Sequence, residues 1–197
     1  MLMFRNEQLT IKPGFYISTA TFLLLLPFKW VGAWLVAAAF HELCHYTALK
    51  ICRISVFSVT IGFSGTVIET GTMSRTTETV CALAGPIGGF LLLLLSRWFP
   101  RVAICAFVQS AYNLLPVYPL DGGRALQCFL LHIFDEKKAL LICRFNEYLL
   151  FAVLLTLAVF ATFKLELGPI PIIFVVLLFL KNRQIKFPCK QRKQIVQ

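Results

Sequence analysis

The sequence predicts an all-α membrane protein: a polytopic bundle of about six transmembrane helices, with a short β-hairpin between the second and third spans. Three observations lead there. The chain of 197 residues is 58% hydrophobic, only 14% charged, and has a mean hydropathy of +0.79; a soluble domain is about half apolar and about a quarter charged. Its apolar residues gather in runs separated by short polar or basic stretches. One stretch, 54–70, instead alternates apolar residues with Ser, Thr and Gly, which is strand periodicity. The size fits one integral-membrane domain over 1–197, divided into an N-terminal tail (1–14), a membrane core (15–180) and a basic tail (181–197), with no room for a sizeable soluble module.

Residues 1–14 are polar and read as an interfacial tail. The first apolar run, 15–28, is short for a span, which needs about twenty residues; it must draw on 11–14 or lie in thinned bilayer. It leads almost directly into another apolar run, so it does not read as a cleaved signal peptide. The second span, 31–49, is closed by Lys50 and Arg53. In 54–70 the alternation slips once at Val56-Phe57, as a bulge would make it. Gly62-Phe63-Ser64-Gly65 reads as the turn and 66–69 as the return strand. The third span, 80–95, opens on Ala84-Gly85-Pro86-Ile87-Gly88-Gly89, whose glycines permit close approach of a neighbouring helix. The fourth, 102–115, is broken by the Pro- and Gly-rich segment Pro116-Val117-Tyr118-Pro119-Leu120-Asp121-Gly122-Gly123. Residues 124–134 read as a short interfacial helix, 140–163 as the fifth span and 167–180 as a short sixth.

Six spans put both termini on one side. Lys29, Arg97, Arg101 and Lys164 then face the other side, leaving the remaining fifteen of the 19 Lys and Arg with the termini. The positive-inside rule makes that side cytoplasmic. The net charge of +10 is therefore a topology signal flanking apolar runs, and nucleic acid is not expected as a partner; the lipid bilayer is. The seven cysteines show no CxxC spacing and read as reduced thiols. Trp30, Trp34 and Trp98 read as interfacial anchors.

His41-Glu42-Leu43-Cys44-His45 lies inside the second span. Histidines four apart project from one helix face and can share one Zn²⁺. Glu42 stands next to that face, placed to take a proton from an attacking water. Ionisable groups at this depth are costly, so they mark function by default. Cys44 falls roughly opposite the histidines and reads as a small packing residue. A catalytic zinc takes three protein ligands and keeps one position open. Asp121 reaches the depth of His41 and His45 from the broken inner end of the fourth span and is the natural third ligand. An Asp-Gly turn that merely ends a helix is the plainer reading of that residue alone. Asn113, upstream on the same element, can hydrogen-bond a substrate backbone or a developing oxyanion. His132 reads as interfacial. Arg144 and Glu147, three apart, read as a mutual salt bridge, with contact to a charged substrate segment as the alternative.

Taken together, HELCH in one span, AGP opening the next and NLLPVYPLDGG ending a later one resemble the site-2 protease family of intramembrane zinc metalloproteases. The match runs over 35–126, with the motifs in the family's order. The resemblance implies one catalytic Zn²⁺ on His41, His45 and Asp121, with Glu42 as catalytic glutamate. It also implies cleavage of a protein substrate within or beside the membrane after an extended strand docks, for which 54–70 offers the edge. Within the family, the six-span layout is similar to the sporulation branch typified by stage IV sporulation protein FB. That points to a multi-pass protein of the bacterial cell membrane, its active site opening to the cytoplasm. A sigma-factor precursor would be the substrate and other membrane proteins its regulators. Two departures accompany this: no PDZ domain is expected within the chain, and the regulatory CBS domain of many sporulation-type members is not expected after it. Where members often carry Asn after AGP, this chain has Gly88-Gly89. The alternatives are a catalytically inactive zinc-binding homologue that holds membrane clients, and a metal transporter. A dead homologue has no reason to keep Glu42, and a transporter needs ligands at several depths rather than one.

Overall fold

The computed structural model describes residues 8–62, 65–164, 168–169, 171–173, 175–176 and 179. Its elements run in the order β1 (Gln8–Ile11), α1 (Pro13–Leu25), α2 (Phe28–Ile51), β2 (Val56–Gly62), β3 (Gly65–Thr70), α3 (Arg75–Leu91, extended by a 3₁₀ turn Leu92–Leu95), α4 (Pro100–Asn113), α5 (Asp121–Ile133) and α6 (Glu136–Lys164).

Local chemistry sets the boundaries. Pro13 and Pro100 open α1 and α4, where a missing N–H costs nothing. Pro27 forces Leu26 into extended backbone, and this separates α1 from α2. Helix α2 ends where Arg53 turns left-handed (φ 57°) and the Ile54 amide closes onto the Leu49 carbonyl at 2.9 Å. Ser74 caps α3, its hydroxyl accepting the Thr77 amide at 3.2 Å.

The hairpin forms as the alternation predicts. β2 and β3 pair antiparallel, with the register shift between Val56 and Ser58. The tip residues 63 and 64 lie outside the described residues. What the sequence reading missed is a third strand. Gln8–Ile11, read as tail, pairs parallel with β2, giving the order β1-β2-β3. The fold is therefore mostly helical with a small three-stranded sheet, and α1 begins two residues after β1 rather than drawing Ile11 into a span.

Helix α3 is the central element, packing most extensively on α5 and α2 and also on α4. Ala33 and Ala37 of α2, Leu92 at the end of α3, and Cys105 and Ala106 of α4 form one buried cluster. Small residues here let the helices approach closely. Leu130 and Leu131 of α5 with Ala139 and Cys143 of α6 form another. Helix α5 packs one face into the bundle, burying Gly122, Gly123, Ala125, Gln127, Cys128, Leu130 and Leu131, while Phe129, His132 and Ile133 are exposed.

Two described helices are long and apolar enough to cross a membrane by length and composition, Arg75–Leu95 and Glu136–Lys164; Pro13–Leu25 is apolar but short. At 1.5 Å per residue the thirteen residues of α1 reach only about 20 Å against a hydrocarbon core of about 30 Å. None of its residues is buried. Helix α2, at 24 residues, has the length but carries His41, Glu42, His45 and Lys50. The expected sixth span is described only at scattered positions, and the basic tail 181–197 lies outside the described residues.

Candidate metal centre and active site

Helices α2 and α3 are joined by the hairpin, and α3 and α4 by the short turn after Leu95. The C-terminal half of α2, the middle of α3 and the C-terminus of α4 therefore come together. That meeting point holds HELCH, AGP and Asn113.

His41 is almost fully buried (2% exposed); the His45 and Asp121 side chains are 12% and 14% exposed. Their donor atoms form a triangle of equal sides. His41 Nε2 to His45 Nε2, His41 Nε2 to Asp121 Oδ2 and His45 Nε2 to Asp121 Oδ2 are each 3.1 Å. Asp121 does not end α4 as the sequence reading had it. Helix α4 stops at Asn113, and Asp121 is the first residue of α5, after a turn over 114–120. Asn113 Nδ2 lies 3.2 Å from His41 Nε2, beside the triangle. Glu42 is half-buried on the adjoining strip of α2, and its carboxylate accepts a hydrogen bond from the Thr66 side chain on β3.

His45 Nδ1 donates to the Cys81 carbonyl at 2.7 Å. This leaves the Nε2 lone pair of a neutral ring directed at the other two donors. An ionised carboxylate also only accepts, so with His41 protonated on Nδ1 all three atoms direct lone pairs at one point, the arrangement a cation would bridge; with the proton on Nε2, His41 donates to Asp121 instead. Tetrahedral donors about 2.0–2.1 Å from a zinc ion sit about 3.3–3.4 Å apart, close to the spacing found. Two imidazoles and a carboxylate suit Zn²⁺. Among the described residues, these three can hold a metal ion.

Glycine makes the space. A Cβ on Gly85 would overlap the His45 ring and stand 2.7 Å from His41 Nε2; one on Gly88 would overlap Cys44, which packs there as a small residue should. Gly122 and Gly123 lie against the backbone of Leu114 and of Val117–Tyr118, folding the 114–120 turn onto the start of α5. The six described cysteines, 44, 52, 81, 105, 128 and 143, are unbridged.

Sequence reasoning missed several contributors. The Cys81 carbonyl has no sequence signature because it is backbone. Thr66 looked like one more polar residue of a strand. Asn146 donates to the Pro116 carbonyl at 2.9 Å, and buried Glu147 accepts the Tyr118 amide at 3.3 Å. A polar pair inside a predominantly apolar helix was the available signal; Glu147 had been read as the partner of Arg144 or as a contact to a charged substrate segment.

No protein-family model matches the chain, and no curated protein matches it in sequence. Among solved structures, the Site-2 Protease from Methanocaldococcus jannaschii superimposes with a TM-score of 0.62 at 18% identity, over 95% of this chain and 96% of that one. This chain has the fold of a site-2 protease. The likeness covers the sheet and the helices together, well beyond the 35–126 stretch that carries the sequence motifs.

Proposed function

We propose that this chain is an intramembrane zinc endopeptidase that hydrolyses a peptide bond of a membrane-embedded or membrane-associated protein. The observation that carries the reading is the 3.1 Å triangle of His41, His45 and Asp121 with Glu42 on the adjoining strip of the same helix. The fold likeness supports it. His41 Nε2, His45 Nε2 and Asp121 Oδ2 would hold the ion. Zinc there supplies Lewis acidity, polarising the scissile carbonyl and acidifying water.

The rest falls to the chain's own groups. Glu42 accepts the proton of the attacking water and passes it to the leaving nitrogen. Thr66 holds one carboxylate oxygen of Glu42, leaving the other free for that transfer. The Asn113 amide donates to the oxygen that gains charge as the carbonyl is attacked. Gly85 leaves the imidazoles room, and the Cys81 carbonyl fixes the orientation and tautomer of His45. β3 is one of the two edge strands of the sheet among the described residues and the one that carries Thr66; an extended substrate segment adding to it by β-augmentation runs past Thr66 towards Glu42.

In this reading the chain crosses the membrane six times, with termini and site opening towards the cytoplasm. The charge distribution supports that orientation. The span layout makes a sigma-K-type precursor of sporulation the first substrate to try. The test is co-expression of that tagged precursor with wild type or Glu42→Gln, read by immunoblot and by the zinc content of each purified protein. A shortened product with wild type alone, and zinc in both, is expected. Product from both removes Glu42 from the reaction. Absence of zinc from wild type overturns the metalloprotease reading. A blank blot with zinc present removes this substrate only.

A further inference from the structure

We infer that Asn146 and Glu147, consecutive residues inside α6, are positioning residues for Asp121: they hold the 114–120 turn in the shape that delivers its carboxylate to His41 and His45. The inference rests on the proposed metal site and adds a fifth helix, α6, to its construction.

The turn needs outside partners. Pro116 and Pro119 bring no N–H to it. Inside it, the Val117 amide donates to the Leu115 carbonyl at 2.8 Å and the Leu120 amide to the Val117 carbonyl at 2.9 Å. The Pro116 carbonyl and the Tyr118 amide, on either side of Val117, are met from α6. Asn146 Nδ2 donates to the first at 2.9 Å, and Glu147 Oε1 accepts the second at 3.3 Å. Pro116 and Tyr118 are half-buried, and a backbone group with little access to water gains from a protein partner, so both side chains favour this shape of the turn. Glu147 is 8% exposed in a helix of predominantly apolar residues, and a carboxylate is costly there. Its place against the turn gives that cost a purpose.

The platform is fixed and the connection short. Cys143 and Ala139, one and two turns before Asn146, pack on Leu130 and Leu131 of α5. Gly123 abuts the Val117–Tyr118 backbone. Asp121 lies three residues beyond Tyr118, so a displacement of the turn reaches the carboxylate directly. Groups of this kind behind a metal ligand typically change metal affinity by about 10- to 100-fold when altered.

Two near-isosteric substitutions carry opposite expectations. Asn146→Asp replaces the donor with an acceptor facing the Pro116 carbonyl. Glu147→Gln keeps an oxygen that accepts the Tyr118 amide. With full-length protein in detergent, zinc loss to a chromophoric chelator is followed beside the thermal melting of each variant. Asn146→Asp should release zinc about 10-fold faster than wild type. Glu147→Gln should stay close to wild type, while Glu147→Leu behaves like Asn146→Asp. A folded Asn146→Asp that holds zinc as wild type does overturns the inference, as does Glu147→Gln losing it as fast as Glu147→Leu. Should Asn146→Asp not fold, the two Glu147 variants decide. A wild type that holds no zinc is a different result and sinks the metal site itself.

Discussion

Gly85→Ala sets two physical effects against each other, and the structure says which wins. Gly85 lies in the middle of α3. On helix propensity alone, alanine there should stabilise the protein by about 0.8–1.0 kcal/mol. The added Cβ, however, would stand 2.7 Å from His41 Nε2 and overlap the His45 ring. Ordinary contact needs about 3.4 Å, so His41 must retreat by about 0.7 Å and His45 by more. Ligand distances in a metal site tolerate only about 0.2 Å. The His41–His45–Asp121 triangle cannot survive that. Zinc affinity should fall by at least about 100-fold, or about 2.8 kcal/mol, while the fold persists. The assay is zinc content after dialysis against a weak chelator, read beside thermal melting in detergent. Gly32→Ala in α2 is the control, since nothing lies within 4 Å of a Cβ there; it should keep its zinc. Gly85→Ala with full zinc and wild-type cleavage would refute the reasoning, because the imidazoles could not then be where the structure has them.

Other expectations follow from the same geometry. Asn113→Ala should keep zinc but lower kcat by about 10²–10³-fold, the usual effect of losing an oxyanion donor; single-turnover cleavage measures it. Thr66→Val removes a hydroxyl of nearly the same shape from Glu42 and should slow cleavage by about 10-fold, in line with one hydrogen bond to a charged group. The loss should appear in kcat more than in KM. Gly123→Ala would overlap the backbone of Val117 and Tyr118, which cannot swing aside as a side chain can. It should lower stability by about 1–3 kcal/mol, seen as a lower melting temperature.

What was legible in the sequence was periodic or spaced. The hairpin and its bulge were visible because strand alternation has period two and slips visibly at Val56-Phe57. The four-residue spacing of His41 and His45 and the span count brought Asp121 to their depth. Four residues, Gln8–Ile11, were too few to show a period, so β1 was lost in a tail. Helix α5 was read as starting at Arg124, after a Pro- and Gly-rich break; it starts at Asp121, and Gly122, Gly123 and Gln127 are buried in its packing. The Cys81 carbonyl and the Asn146–Glu147 contacts depend on elements distant in sequence, which no local pattern encodes. Glu147 illustrates the hazard of local rules. An i,i+3 partner in Arg144 satisfied the reading, and the contact with Tyr118, on another element, went unseen.

The three motifs divide the work unevenly. HELCH supplies most of the chemistry, while AGP and the glycines after it supply space. Gly85, Gly88 and Gly89 fall on one face of α3 and each admits something different: the imidazoles, Cys44 of the same α2, and Ser110 of α4. In a bilayer, water does not drive helices together, and close packing must do so instead. A surface of missing side chains on the central helix lets α2 and α4 close from two sides. That closure is what brings Asn113 to His41, and it explains why Gly88-Gly89 stands after AGP in place of a polar residue. The position is already taken by its neighbours: a Cβ at 88 meets Cys44 and one at 89 meets Ser110. Any larger residue there would separate α3 from α2 or α4 before it reached a substrate.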